Sequence, residues 1–246
     1  MKPKKNFFKK SAFGQWLGIE LDVVSLKEKL ISLVGGIISI LLLMGICEQV
    51  LGLKGSAMLI SSMGASAVLL FGVPHGALSQ PWPVVMGHFL SAVIGVTCAK
   101  MISVPYVAAA CAVGLSIGAM HQLKCIHPPG GATALTAVLG GNGIRELGYS
   151  FVWHPVLLNA VVMVLVAVGF NYLFAWRRYP AAWGKRHRSG ISKAERVSHQ
   201  DIVEALESFD SFVDITEEDL IRLHELLSKR EKRSKKELHG CQDGED

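Results

Sequence analysis

The middle of the sequence has few charged side chains. Between positions 30 and 176, only six of 147 residues are Asp, Glu, Lys or Arg, whereas the other 99 residues hold 39 of the 45 charges. The 45 residues at positions 55–99 have none. Helices of a soluble protein need a polar face toward water, so this depletion excludes a soluble protein and predicts an integral membrane protein.

Paired cysteines and catalytic signatures are also missing. The five cysteines include no C-x-x-C pair, so neither a disulfide framework nor a zinc ribbon is indicated. No G-x-S-x-G, H-E-x-x-H or Walker A string occurs, and we expect no enzyme activity and no cofactor. His121, Cys125 and His127 have the side-chain types of a Zn or Cu site, but a fourth ligand is not evident, which leaves a metal-dependent enzyme as a minor alternative.

Basic residues flank the apolar region on both sides. Residues 1–29 carry a net charge of +4 and residues 177–200 carry +6, whereas residues 201–246 carry −7. The positive-inside rule places both flanks in the cytoplasm, which requires an even number of crossings. The acidic end is unlike a nucleic-acid-binding arm, and capping patterns predict two short helices there, at about 199–209 and 217–234.

Six apolar segments lie between the flanks. Four are long: residues 30–47, 83–99, 101–123 and 156–176. At about 1.5 Å of rise per residue, each can cross roughly 30 Å of hydrocarbon. The segments at 57–72 and 131–141 reach only about 24 Å and about 16 Å. Each of these two is a short span, half of a broken helix, or a re-entrant element.

The segments follow one order twice: long, short, long. MGASAVLLFG at 63–72 matches GGATALTAVLG at 130–140, and a proline-led apolar segment follows each. Short Gly-rich pieces at corresponding positions of two halves are typical of transporters with inverted repeats. Six crossings with inverted repeats and four with parallel repeats are both even numbers, so both remain open, and we favour six.

The predicted architecture is therefore all-α, a multi-pass transmembrane helical bundle with two internal repeats. Each repeat contains a short Gly-rich broken or re-entrant helix, and a short cytoplasmic helical tail follows the bundle. We expect three regions: a basic cytoplasmic lead at 1–29, a transmembrane domain at 30–178, and a cytoplasmic tail at 179–246 with two short helices and a disordered end.

The string HPPGGATA at 127–134 is the most informative about function. Two prolines suit the first turn of a helix, and two glycines leave backbone N–H groups unshielded. A helix N-terminus at membrane depth favours a small anion, and residues 61–66 could present a second one. Close packing of small residues is the alternative. The candidate substrate-binding residues are His127, Gly130, Gly131, Ala132, Thr133, Gly64, Ala65 and Ser66.

Five histidines lie in the apolar region. His127, at the expected mouth of the helix break, could accept a proton or contact an anion. His75 is expected at the membrane interface, and hydrogen-bonded structural roles are expected for His88, His121 and His154.

HPPGGATAL, together with the upstream GASAVLLFG and the string GHFLS at 87–91, resembles the HPP family of integral membrane proteins over roughly residues 26–178. The family is usually described with four transmembrane helices, and some plastid and cyanobacterial members are associated with nitrite transport. The tail resembles the segment that leads into paired CBS domains in longer bacterial members, although no such pair follows here.

The resemblance implies a transporter or channel for a small monovalent anion, with nitrite the leading candidate. The expected partners are that anion and the lipid bilayer, with no nucleic acid and a possible homo-oligomer. The expected location is a bacterial inner membrane with both termini cytoplasmic. The alternative function is a membrane-bound sensor or scaffold whose cytoplasmic tail recruits a partner.

Overall fold

The computed structural model describes residues 24–184, apart from the side chains at 47 and 50–60. The described part is mostly helical, with short turns between the helices, and contains no strand. The α-helices are α1 (Leu26–Ala67), α2 (Pro81–Met101), α3 (Pro105–Gln122), α4 (Pro129–Leu139), α5 (Gly141–Leu147), α6 (Leu158–Tyr172) and α7 (Ala181–Gly184). A π-helical turn at Val68–Gly72 ends α1, another at Val152–Leu157 leads into α6, and 3-10 turns lie at Ala77–Ser79 and Ala175–Arg177.

Helix α1 folds back on itself. A Cβ atom added to Gly35 would lie 2.5 Å from the Phe71 ring, although 36 residues of straight helix would separate the two by about 54 Å. The chain therefore reverses between Gly35 and Phe71, and the arms Leu26–Ile46 and Ser61–Gly72 pack against each other. A groove of about 410 Å³ runs between the arms, lined by residues of both, including Gly36 and Gly64.

Proline starts three of the helices. Pro81, Pro105 and Pro129 each occupy the first turn of α2, α3 and α4, where the missing N–H is no loss and the fixed φ suits the helix. At the start of α1, the Ser25 hydroxyl instead accepts a hydrogen bond from the Glu28 backbone N–H, at 3.2 Å. The sequence thus fixes the starts of these four helices locally.

Contacts between helix ends show that successive segments alternate in direction. At one end, where Arg177 also lies and which we call the Arg177 end, Trp82 Nε1 donates to the Leu123 carbonyl at 3.2 Å. This contact brings the start of α2 to the end of α3. At the opposite end, which we call the Lys100 end, the Thr97 hydroxyl lies 3.0 Å from the Tyr149 hydroxyl. Glu28 pairs with Arg177 and accepts a hydrogen bond from Trp176, so the start and the end of the described chain lie at the same end of the bundle.

The apolar helices of the described part differ in length and hydropathy. Three helices are long and apolar enough to cross a membrane: Leu26–Ile46, Pro81–Met101 and Val152–Tyr172. Helix α3 has 18 residues, and the two short apolar helices are Ser61–Gly72 and Pro129–Leu139. The first short helix ends beside Arg177, and the second starts beside Gly87 of α2. The predicted tail helices at 199–209 and 217–234 lie outside the described residues.

Arg177 is fully buried and joins three elements at its end of the bundle. Its guanidinium forms an ion pair with Glu28 at the start of α1, and its Nη2 donates to the Phe71 carbonyl at 2.6 Å. Its Nε donates to Asn171 Oδ1 of α6 at 3.0 Å. The first short helix ends at Gly72, one residue after Phe71, so Arg177 satisfies a carbonyl that the helix itself leaves unpaired.

The domain also continues past the predicted boundary at 178. Tyr179 is buried, and its hydroxyl donates to the Ser79 carbonyl at 2.8 Å. The Ala181 backbone N–H donates to Gln80 Oε1 at 3.0 Å. The chain segment after α6 is therefore part of the bundle end and not only a basic flank.

Arg177→Met should lower the thermal unfolding temperature of the purified protein strongly, because it leaves the Glu28 carboxylate buried without its cation. Breaking a buried pair from one side costs about 3–5 kcal/mol. Arg178→Met is the matched control, since Arg178 is the exposed neighbour. Adding Glu28→Gln to Arg177→Met should restore part of the loss. Equal unfolding temperatures for the Arg177 and Arg178 variants in detergent would contradict the assignment.

Candidate functional site

Four buried polar side chains meet at the centre of the bundle, and we call them the central polar cluster: Ser66, His88, His127 and Thr133. Ser66 Oγ lies 2.8 Å from His88 Nε2 and 2.9 Å from His127 Nε2. His88 Nδ1 lies 2.7 Å from Thr133 Oγ1, and His127 Nδ1 lies 2.9 Å from the Leu78 carbonyl oxygen. None of the four side chains is more than 1% exposed.

Different elements bring these four side chains together. Ser66 lies on the first short helix, His88 on the second turn of α2, His127 in the turn before α4, and Thr133 on α4 itself. The two short helices therefore each supply a hydroxyl, and α2 passes between them with an imidazole that bonds to both. The His88 and His127 rings pack edge to face with centroids 5.0 Å apart.

Two glycines make this close approach possible. A Cβ atom on Gly87 would lie 2.6 Å from the His127 Cβ, so Gly87 lets the turn before α4 pack directly on α2. A Cβ atom on Gly130 would lie 2.7 Å from Ser91 Oγ and 2.9 Å from the Gly87 carbonyl oxygen. The start of α4 thus sits against the backbone of α2, one turn from His88.

The cluster contains donors and acceptors but no carboxylate. The acidic residues of the described part are Glu28, Glu48 and Glu146. Glu28 pairs with Arg177 at the bundle end, and Glu48 and Glu146 are exposed. The cations of α2 to α6, Lys100, Lys124 and Arg145, are exposed as well. The centre of the bundle is therefore uncharged apart from any proton that the two imidazoles hold.

Ser91 adds a hydroxyl that is not satisfied. It lies one turn after His88 on α2, is fully buried, and its Oγ has no hydrogen-bond partner. Buried polar atoms are nearly always paired in native proteins, so this hydroxyl is a candidate contact for a bound group. Its neighbour is Gly130, at the start of α4.

Three of the eight predicted binding residues, His127, Thr133 and Ser66, lie in the central polar cluster. Gly130, Gly131 and Ala132 lie beside it in the first turn of α4. Gly64 lines the groove between the arms of α1, and Ala65 is exposed.

The predicted source of anion binding, unpaired N–H groups at two helix starts, is wrong in two respects. The Gly130 and Gly131 N–H groups donate to the carbonyls of His127 and Pro128, at 2.9 and 3.0 Å, because the two prolines shape a tight turn. Gly64 and Ala65 lie inside α1, so no helix starts there. The irregularity of the first short helix is instead at its other end, at Val68–Gly72, where Ser79 and Arg177 side chains satisfy the carbonyls of Leu69 and Phe71.

The hydrogen-bonded role expected for His88 is confirmed, but its partners were not foreseen from the sequence. The structure shows that they are Ser66 and Thr133, so His88 links the two short helices. The signal was the H-x-x-S spacing of His88 and Ser91, which places an imidazole and a hydroxyl on one face of a helix. His121 and His154 are exposed, and His75 is half-buried in the loop at the Arg177 end. Among residues 24–184, no three His, Cys, Asp or Glu side chains are grouped to hold a metal ion.

A helical bundle of apolar spans around a buried polar centre defines the protein as a multi-pass membrane protein. Its family follows from a sequence match: residues 21–180 fit the family described as HPP, transmembrane region. The chain therefore belongs to the HPP family, as the string at 127–134 predicted.

Two curated relatives come from Dictyostelium discoideum, and each is named only as a transmembrane protein. One is 44% identical over 131 residues, covering 51% of this chain and 45% of the relative. The other is 38% identical over 177 residues, covering 70% of this chain and 57% of the relative. The chain thus spans about half the length of these relatives. No solved structure matches the chain.

Gly130→Ala should destabilise the protein, whereas Gly131→Ala should not. The added methyl at 130 would overlap the Ser91 hydroxyl and the Gly87 carbonyl, while at 131 nothing lies within 4 Å. Overpacking of this kind costs about 1–3 kcal/mol. Thermal unfolding of both variants in detergent, with the monodisperse yield, tests the difference. A lower unfolding temperature for Gly131→Ala than for Gly130→Ala would contradict the packing described above.

Proposed function

We propose that the protein moves a small monovalent anion across the membrane, with nitrite the leading candidate by family resemblance. The observation that carries this proposal is the central polar cluster. Four hydrogen-bonding side chains lie fully buried in an apolar bundle, where the two short helices meet. Polar and ionisable side chains at membrane depth are costly, and they most often mark a substrate or ion path.

The chemistry of the cluster suits an anion better than a cation. Hydroxyl and imidazole groups can donate hydrogen bonds that replace part of an anion's lost hydration. A site for a cation would use carboxylates or converging carbonyls, and the described acids lie away from the cluster. The free Ser91 hydroxyl gives a donor that needs no rearrangement before it can bond to a ligand.

Exposed cations near the two ends of the bundle also favour an anion. Lys124 lies in the turn before α4 at the Arg177 end, and Lys100 and Arg145 lie at the opposite end. Clustered positive charge at the ends of a path raises the local concentration of anions. The effect is long-ranged and decreases as salt increases.

The order and direction of the segments support the inverted-repeat interpretation. The first long-short-long unit starts at the Arg177 end with Leu26, and the second starts at the Lys100 end with Pro105. In the aligned strings, Ser66 corresponds to Thr133, and both hydroxyls bond to His88. Transporters built from inverted repeats place their sites where the two halves meet near the bilayer midplane.

Orientation follows from the charges in this proposal. Residues 24 and 184 lie at one end, and the basic stretches at 1–29 and 177–200 place that end in the cytoplasm. Three expectations remain predictions: location in a bacterial inner membrane, a lack of enzyme activity, and assembly into a homo-oligomer.

The competing function is a membrane-bound sensor or scaffold, and it is favoured because the central polar cluster is closed. Two grooves, of about 250 and 410 Å³, are lined by neither histidine of the cluster.

Uptake by proteoliposomes that contain the purified chain tests transport. Nitrite, nitrate, formate and chloride are compared, and protein-free vesicles give the baseline for diffusion of the undissociated acids. We expect saturable nitrite uptake above this baseline. No uptake of any of the four anions by folded protein would contradict transport and favour the sensor.

Thr133→Val should lower this uptake about tenfold, because it leaves His88 Nδ1 buried without its hydroxyl. Thr136→Val is the matched control on the same helix, since the Thr136 hydroxyl bonds only to the Ala132 carbonyl of its own helix, at 2.8 Å. The control should keep the uptake of the unmodified protein within about twofold. Equal uptake by the two variants would contradict a path through the central polar cluster.

A further inference from the structure

The hydrogen bonds of the central polar cluster have one direction when both imidazoles are neutral. The Leu78 carbonyl can only accept, so His127 Nδ1 carries the proton. His127 Nε2 is then an acceptor, and the Ser66 hydroxyl donates to it. Ser66 has no second proton, so His88 Nε2 donates to Ser66 and His88 Nδ1 accepts from Thr133. The two rings are therefore opposite tautomers, with the proton on Nε2 in His88 and on Nδ1 in His127.

The cluster also has a complete second arrangement that holds one more proton. The Ser66 hydroxyl lies 3.2 Å from the Ser62 carbonyl oxygen of its own helix and can donate there instead. His127 Nε2 can then bear a proton and donate to Ser66 Oγ, which accepts from both rings through its two lone pairs. His127 Nδ1 continues to donate to Leu78. No heavy atom has to move, and every polar side-chain atom of the four cluster residues stays paired.

His127 is better placed than His88 for this extra proton. A doubly protonated His127 has two acceptors, the Leu78 carbonyl and Ser66 Oγ. The Ser62 carbonyl then accepts the hydrogen bond that the Ser66 hydroxyl no longer donates to His127. A doubly protonated His88 would force the Thr133 hydroxyl to give up its bond to Nδ1 and find another acceptor. With the rings 5.0 Å apart, charge on one opposes charge on the other.

Among the residues that the structure describes, none around His127 would neutralise this charge. The ionisable groups on the elements packed around it are His88 on α2, Cys125 in its own turn, Tyr179 beside the Ser79 carbonyl, half-buried His75, and exposed Lys124 and His121. Of the carboxylates in the described part, Glu28 is paired with Arg177, and Glu48 and Glu146 are exposed. A buried imidazolium without a counter-charge is unfavourable, so the anion itself has to supply the counter-charge.

We propose that His127 takes up one proton together with each anion, with the Ser66 hydroxyl turning from His127 to the Ser62 carbonyl as it does so. This inference rests on the proposed function and names its second substrate, the proton. The proton arrives on His127 Nε2 and leaves from the same ring when the anion leaves, so neither charge crosses alone. Transport is then electroneutral, and His127 is the proton site.

Nitrogen-15 NMR of histidine-labelled protein in bilayers tests the cluster without any flux measurement. His88→Gln and His127→Gln samples assign the two rings by loss of signal. At alkaline pH without ligand, we expect His88 protonated at Nε2 and His127 at Nδ1. With nitrite, His127 should become doubly protonated at a higher pH than without nitrite. The same tautomer for both rings, or charging of His88 first, would overturn the proposal.

Paired measurement of nitrite uptake and internal pH tests the coupling. Proteoliposomes are loaded with a pH-sensitive dye and the membrane potential is clamped, and protein-free vesicles give the baseline. We expect about one proton per anion and no dependence on the potential. Ser66→Ala removes the acceptor at Nε2 and should lower proton uptake about tenfold. Ser116→Ala is the matched control, because the Ser116 hydroxyl is also buried but bonds only to the Ala112 carbonyl of its own helix.

The outcomes separate the two proposals. Nitrite uptake without proton uptake would overturn the coupling and leave anion transport standing. No uptake of any anion would overturn the transport proposal, and the coupling with it. Equal proton uptake in the Ser66→Ala and Ser116→Ala proteins would overturn the role of Ser66. Loss of proton uptake in the Ser66→Ala protein alone would support it.

Discussion

Lipid offers no hydrogen-bond partners, and this constraint decides where the polar groups of the bundle lie. A buried hydroxyl, imidazole or guanidinium has to find its partners inside the protein. The chain meets this requirement at two places. At the bundle end, Arg177 bonds to Glu28, Asn171 and the Phe71 carbonyl. At the centre, His88 and His127 are satisfied by two hydroxyls and a loop carbonyl.

The two places differ in what they leave available. Arg177 and Glu28 form an ion pair whose charges balance. The pair holds elements of the fold together and leaves no net charge to attract a ligand. The centre is neutral, has an alternative acceptor in the Ser62 carbonyl, and lies beside the unpaired Ser91 hydroxyl. A structural network gains from having one arrangement, whereas a site that binds and releases a ligand needs at least two of similar free energy. The central polar cluster has two such arrangements of its hydrogen bonds, which agrees with the proposed function.

Sequence alone predicted the helical membrane bundle and named three of the four side chains of the central polar cluster, because the signals for both are local. Proline at a helix start and the long-short-long pattern can be found within a few residues, and Ser66 and Thr133 stood out because their strings match. Sequence could not show that His88 joins them, since its partners are 22 and 45 residues away. The ion pair of Glu28 and Arg177 spans 149 residues, and each residue alone is typical of a charged flank.

The interpretation of the glycines failed for a related reason. Gly64 and Gly131 occupy matching positions, and the sequence suggested a helix start at each. The structure has a helix start only near Gly131, where two prolines precede it, while Gly64 continues a helix and faces the groove between the arms of α1. Glycine permits a break but does not cause one, and proline or a tertiary contact makes the difference.

The contact between Arg177 and the Phe71 carbonyl makes a mechanical linkage of two distant parts of the sequence. Phe71 lies five residues beyond Ser66 on the same short helix, and Arg177 lies between α6 and the segment at 179–184 that packs on the bundle end. The position of the helix that carries Ser66 therefore depends on the position of the segment after α6, more than 100 residues later in the sequence.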